Sequence, residues 1–224
     1  MSVSEIELRN KLVTVARKVA QAGLVAGTWG NISARLDDKK VLITPSGISK
    51  EVLKPEDLLV VDLEGNVVKG NLKPSMETPM HTKIYAMRQD VNAVVHTHSP
   101  YATAFAIAGK PLPVLTVDFA SVIGHEVPVT KYVRPGTKEL AEEVVKTLGN
   151  RTAVLIKNHG VVAVGDTLDE AFSVALLIEE QAKMYIFARI LGRVDILEED
   201  EVRAIRGYYL HDYGQKGKKI VLRD

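Results

Sequence analysis

The spacing of apolar residues changes repeatedly along the chain, and each change marks an element. Leu8, Leu12, Val15 and Val19 fall on one helical stripe between Ser4 and Ala22, with Ser4 and Glu7 in capping-box spacing and Gly23 behind them. Two pairs of short strands follow. Asn31–Leu36 and Val41–Thr44 are joined by the polar turn Asp37–Lys40, and Leu58–Asp62 and Asn66–Lys69 flank Glu64-Gly65. Thr78-Pro79 opens a helix that runs to Arg88, and Val91–His98 reads as a strand. Ser99-Pro100 starts the next helix and Gly109 closes it, after which the proline-containing residues 111–135 read as one or two strands and a loop. Gly136–Leu148 is predicted helical, and Thr152–Lys157 and Val161–Val164 are predicted strands about the tight turn Asn158-His159-Gly160. Thr167 and Glu170 form a second capping box before a long helix to Leu191, and the more polar tail after Glu198 holds a short helix and Tyr208, Tyr209 and Tyr213. Strands arriving as hairpin pairs between helices predict an α/β fold. The expected architecture is a single three-layer α/β/α domain over 1–224, with a mostly antiparallel central sheet flanked by helices.

Composition narrows the chemistry. The 224 residues are 46% hydrophobic and 25% charged, the balance of a folded globular chain. With 29 Lys+Arg against 28 Asp+Glu, the net charge of +1 offers no general attraction to nucleic acid or to an anionic membrane, so neither is expected as a partner. The acidic start MSVSEIELRN lacks the basic and apolar pattern of a signal peptide, and no uncharged apolar run approaches the roughly 18–20 residues of a membrane span, so the expected location is cytoplasmic. No cysteine is present, which excludes disulfides, thiolate metal sites and cysteine nucleophiles. Any metal must sit on His, Asp or Glu.

The sharpest local signal is Val94-Val95-His96-Thr97-His98. On a strand, His96 and His98 leave the same face and can chelate one divalent ion, or they simply form an exposed strand end. His159 lies in a turn at the end of two apolar strands, and Glu77 precedes a helix short enough to return it to the end of the His96 strand. Glu77 reads equally as an acid favoured by a helix N-terminus, and His159 as an ordinary turn residue. His81, His125 and His211 read as surface or ordinary hydrogen-bonding residues. Three small loops carry glycine and side-chain donors: Gly27-Thr28-Trp29-Gly30-Asn31, Thr44-Pro45-Ser46-Gly47 and Pro74-Ser75. Each can present backbone amides to a phosphate, or can be a turn chosen for its backbone angles.

Taken in order, Gly30-Asn31-Ile32-Ser33, Leu42-Ile43-Thr44-Pro45-Ser46-Gly47, Pro74-Ser75-Met76-Glu77-Thr78-Pro79-Met80-His81, His96-Thr97-His98 and Asn158-His159-Gly160 resemble the motifs of the class II aldolase/adducin-head family, as does the tail Asp212-Tyr213-Gly214. The resemblance implies a metal-dependent aldehyde-lyase that cleaves a ketose 1-phosphate, such as L-fuculose 1-phosphate or a similar deoxyketose phosphate, to dihydroxyacetone phosphate and a short aldehyde. It implies Zn²⁺, one per subunit, on His96, His98, His159 and Glu77, with Mn²⁺, Fe²⁺ or Co²⁺ also suited to that donor set. Glu77 would be a ligand at rest and the acid/base once substrate displaces it. Thr28, Gly30, Asn31, Ser46, Gly47 and Ser75 would hold the phosphate of a small phosphorylated sugar. The implied assembly is a homotetramer with intersubunit active sites, in which the tail (about 199–224) brings Tyr213 to a neighbouring subunit as a second catalytic residue.

Some positions depart from that pattern. Met76 stands where a second phosphate-binding serine is expected, and Val117 and Pro135 stand where those aldolases line the aldehyde pocket with aromatic rings. The family also contains a ribulose-phosphate 4-epimerase, which resembles this chain with aspartate in place of Glu77, and Asp118 is a candidate epimerase acid or a loop cap. A methylthioribulose-1-phosphate dehydratase shares the histidines. Outside that chemistry stand a non-catalytic adducin-like interaction module and a zinc hydrolase using the same ligands to activate water.

Overall fold

The computed structural model describes residues 4–214. Seven strands form one sheet in the order β4-β3-β2-β1-β5-β7-β6, and every pair of neighbours in it is antiparallel. The strands are β1 (Asn31–Asp37), β2 (Lys40–Ile43), β3 (Leu59–Asp62), β4 (Val67–Lys69), β5 (Ala93–Thr97), β6 (Ala153–Ile156) and β7 (Gly160–Gly165). Three hairpins, β1–β2, β3–β4 and β6–β7, supply the local pairings, and β5 is inserted between β1 and β7.

The strands alternate between two cores. Ile32, Ala34, Leu42, Val60, Val95, Leu155, Val161 and Ala163 face one side, where α1 (Glu5–Gln21), α3 (Pro100–Ala108), α4 (Val117–Val122), α6 (Leu168–Leu191) and α7 (Glu199–His211) contribute buried side chains. Val41, Ile43, Leu59, Val61, Val94, Val154, Ile156 and Val162 face the other, covered by α2 (Thr78–Met87) and α5 (Lys138–Leu148). A sheet buried on both faces explains why most strands read as continuous aliphatic runs although their pairing is antiparallel. The three-layer architecture read from the sequence is the one observed.

Local chemistry accounts for the element ends. Ser4 accepts from Glu7 N–H and Glu7 accepts from Ser4 N–H, closing the expected capping box. Gly109 ends α3 in the left-handed region at φ 66°. Two expectations need correction. Thr167 Oγ1 accepts from Glu170 N–H, but the Glu170 carboxylate reaches back to Asp166 N–H, one residue beyond the box. Residues 111–135 form no named strand. They hold the six-residue α4, capped by Thr116 Oγ1 on Phe119 N–H, and isolated bridges Leu112–Val127 and Val129–Leu155.

Candidate metal centre

Four side chains converge where β5 leaves the sheet: Glu77, His96, His98 and His159. Their candidate ligand atoms all lie within 4.8 Å of one another, so they could hold one metal ion. His96 shares the strand face of Val94, toward α2 and α5, and His98 follows one residue beyond β5, so the i, i+2 spacing brings the two Nε2 atoms 3.0 Å apart. His159 enters from the β6–β7 turn, where Asn158 takes φ 57°, a left-handed conformation that asparagine tolerates. Glu77 stands at the N-cap of α2 but makes no capping bond with its side chain. The turn before it is satisfied by others: Ser75 Oγ accepts from Glu77 N–H, and Ser75 O accepts from Thr78 Oγ1. The carboxylate is left to point at the histidines.

Glycines set the close approaches. A Cβ on Gly30 would lie 2.7 Å from the His96 carbonyl oxygen, so β1 can run against β5 here only with glycine. A Cβ on Gly160 would overlap the Thr97 carbonyl oxygen and press on His98.

The lone pairs also converge. His96 Nδ1–H donates to Val161 O at 2.8 Å, which leaves Nε2 as the acceptor nitrogen turned into the cluster. Nε2 then faces His98 Nε2 and, at 3.0 Å, Glu77 Oε2. Glu77 Oε1 lies 3.4 Å from His159 Nε2 and, although buried, has no hydrogen bond. A buried set of converging lone pairs with an orphaned carboxylate oxygen is unfavourable unless positive charge, a proton on His96 or a metal ion, sits among them. The donor set therefore fits a divalent metal, with three imidazoles and one carboxylate as in tetrahedral zinc sites.

Electrostatics agree. Burial, then the neighbouring His96 and His159 charges, pushes His98 down to about 3, and burial with the His96 charge pushes His159 down to about 4. Both are neutral ligands near pH 7. Burial works against the ionised form of Glu77, but His96, His159 and the Asn31 hydrogen bond outweigh it and hold the carboxyl well below its usual range. Burial likewise opposes a charge on His96, and the Glu77 carboxylate outweighs it and raises that group.

The three loops singled out in the sequence meet beside this cluster. Ser46 N–H donates to Lys73 O, and Pro45 bridges Pro74, so the Ser46-Gly47 turn is tied to the segment carrying Ser75. Ser46, Gly47 and Thr28 are exposed, Gly30 is buried and Ser75 nearly so. Asn31 is buried too, with both ends of its amide engaged: Nδ2 donates to Glu77 Oε2 and Oδ1 meets His81 Nε2. Tyr213 lies elsewhere. Among the described residues it stacks on Tyr209 and borders a groove with Val117 and Asp118, and it is 57% exposed. Residues 215–224 of the tail lie outside the described residues.

Three features escaped the sequence reading. His81, which the sequence reads as a surface or ordinary hydrogen-bonding residue, is instead fully buried behind Asn31, one turn along α2 from Glu77. The polar alternation Asn31, Ser33, Arg35 on a strand otherwise apolar was the available signal. Lys50 is 1% exposed, donates to Thr28 O at 2.7 Å, and is lowered to about 8 by burial. Its charge acts on His96 and His98. Trp29 is exposed, with its ring 5.9 Å from that of His98.

Residues 10–186 match the family described as Class II Aldolase and Adducin N-terminal domain. A 5-deoxy-D-ribulose 1-phosphate aldolase of Bacillus thuringiensis serovar kurstaki is 38% identical over 209 residues, which is 93% of this chain and 97% of that protein. A 5-methylthioribulose-1-phosphate/5-deoxyribulose-1-phosphate aldolase of Rhodospirillum rubrum is 38% identical, covering 92% of each chain. Among solved structures, an L-fuculose 1-phosphate aldolase superposes with a TM-score of 0.87 at 34% identity, over 92% of this chain and 99% of that one.

Proposed function

This chain belongs to the class II aldolase and adducin N-terminal domain family, and from that premise we propose that it is a metal-dependent aldolase of short ketose 1-phosphates. The observation that carries the reading is the buried Glu77 carboxylate within the histidine cluster, with one oxygen lacking any hydrogen bond. A binding module has no use for that arrangement, whereas a lyase needs both a cation and a proton carrier at one point.

A divalent ion held by His96, His98, His159 and Glu77 would, when bound, polarise the ketose carbonyl and stabilise the negative charge that develops as the neighbouring carbon–carbon bond breaks. The residues supply the rest. The hydroxyls of the exposed Thr28 and Ser46 and the exposed Gly47 turn, with Ser75 beside them, bind the phosphate. The ammonium of Lys50 beneath Thr28 makes that corner electropositive. The C3–C4 bond breaks as a base takes the proton of the C4 hydroxyl, releasing an aldehyde and leaving its electron pair on C3. Glu77, having taken up a proton from solvent, then delivers it to C3 to give dihydroxyacetone phosphate, and the base returns the C4 proton to solvent. Tyr213 of a neighbouring subunit is assigned the C4 hydroxyl, in a homotetramer whose active sites lie between subunits.

Two of the relatives described above are named for 5-deoxyribulose 1-phosphate. We therefore place a 5-deoxypentulose 1-phosphate, giving acetaldehyde, ahead of L-fuculose 1-phosphate. The test is release of triose phosphate from each substrate by zinc-loaded protein, read by coupling to NADH oxidation. Release from both, with the higher kcat/KM on the 5-deoxypentulose, is expected. No triose phosphate from either overturns the aldolase reading.

A further inference from the structure

On the sheet face that packs against α2, β2, β3, β6 and β7 present aliphatic side chains and β5 presents Val94 and the cluster residue His96, whereas β1 presents Asn31, Ser33 and Arg35. β1 lies between β2 and β5, and Asn31 and Ser33 are buried beneath α2. These two join His81 and Tyr85 of α2 in one chain of hydrogen bonds ending on Glu77.

Donors can be assigned outward from the carboxylate. Ionised Glu77 offers only lone pairs, so Asn31 Nδ2–H donates to Oε2 at 2.9 Å. The Asn31 oxygen is thereby turned to His81 Nε2, 2.5 Å away, and an amide oxygen can only accept. His81 Nε2 thus carries hydrogen. In the neutral ring Nδ1 then holds a lone pair, which accepts from Ser33 Oγ–H at 2.6 Å. Ser33 has no second proton, so the 2.8 Å contact to Tyr85 is a donation from the phenol. Each bond points toward Glu77, and Asn31, Ser33, His81 and Tyr85 are 6%, 0%, 0% and 0% exposed.

We propose that the chain Tyr85–Ser33–His81–Asn31 fixes which oxygen of Glu77 moves the proton: Oε2 is held as a permanent acceptor, and Oε1, facing His159, is the atom that takes and gives it. Protonation on Oε2 would oppose its hydrogen to the Asn31 amide. Relief would require the amide to turn over and His81 to change tautomer within a closed core. His81 is on this account a positioning residue, acting on Glu77 through Asn31. The inference rests on Glu77 as the proton carrier of the proposed reaction, but the hydrogen-bond assignment underlying it does not.

Long-range ¹H–¹⁵N spectra of histidine-labelled, chelator-treated full-length protein test that assignment directly, with the His81 signal identified by its loss in His81→Gln. The expected result is a neutral ring protonated on Nε2 at pH 7. A ring protonated on Nδ1, or an imidazolium, overturns the proposal. In zinc-loaded protein, His81→Leu should lower kcat about 10–100-fold, the range for partners that orient a site residue. KM should be nearly unchanged. His81→Gln, which keeps one donor and one acceptor, should recover most of kcat. Folded, zinc-loaded His81→Leu with unchanged kcat overturns the proposal, and if that variant does not fold the spectrum decides. Absence of aldolase activity in the unaltered protein would refute the functional reading while leaving the spectrum to judge the hydrogen-bond chain.

Discussion

Glu77 has two oxygens with different neighbours. Oε2 accepts from Asn31 and lies 3.0 Å from His96 Nε2, whereas Oε1 lies 3.4 Å from His159 Nε2 and has no hydrogen bond. Replacing Glu77 by Gln keeps the volume and the three imidazoles but removes the proton carrier. Turnover should fall by about 10²–10⁴-fold, the usual contribution of a positioned acid/base, while metal analysis finds the ion largely retained. Unchanged turnover would take Glu77 out of the mechanism. Lys50 makes a different prediction. Its charge is confined at 1% exposure and partnered by a carbonyl, so Lys50→Met should raise KM for the phosphorylated substrate several-fold with little change in kcat. An unchanged KM would show that the ammonium plays no part in phosphate binding. Residues whose chemistry is written in a short motif, such as His96-Thr97-His98, were readable from the sequence. Lys50 was not, because nothing local distinguishes a lysine that folds inward from one in solvent. Ser33 is marked only by its polar alternation with Asn31 and Arg35, and its meeting with His81 is not written locally, since it depends on the register of β1 against α2.

At the scale of elements, the cluster depends on β5 and β7 lying close enough for Val161 O to orient His96 and for the β6–β7 turn to present His159. Gly160→Ala tests this. The added methyl meets the Thr97 carbonyl and presses on His98, so the variant should lose about 1–3 kcal/mol of stability and bind zinc more weakly. Wild-type stability and zinc affinity in a calorimetric titration would contradict the geometry. A helix start and a turn were legible where capping or turn residues mark them, as at Ser4 and Asn158. The six-residue α4 was missed for a physical reason. A helix of that length has no apolar period of its own and is held by packing Phe119 and Ala120 on the core.

In the whole molecule, buried histidines tie folding to pH. Burial lowers His81 to about 3 and His125 to about 4 from an ordinary 6.5, so the unfolded chain binds protons that the folded chain cannot between those values. Stability should therefore be full above pH 6.5 and fall progressively toward pH 4. The thermal midpoint of chelator-treated protein should drop across that window, and a flat profile would contradict the burial of these rings. Among the described residues no helix is long and apolar enough to cross a membrane, and the exposed apolar side chains on the C-terminal half of α6, Met184, Phe187, Ile190 and Leu191, agree with the proposed assembly. Light scattering should give a mass about four times that of the chain, and a monomer would remove the role given to Tyr213. The most direct test of the central claim combines metal content and catalysis in one preparation. Protein stripped with chelator should lose triose phosphate release from a 5-deoxypentulose 1-phosphate, and adding zinc back should restore it in step with one bound ion per chain. Activity that survives complete removal of metal, or zinc bound at that ratio without any cleavage, would contradict the account.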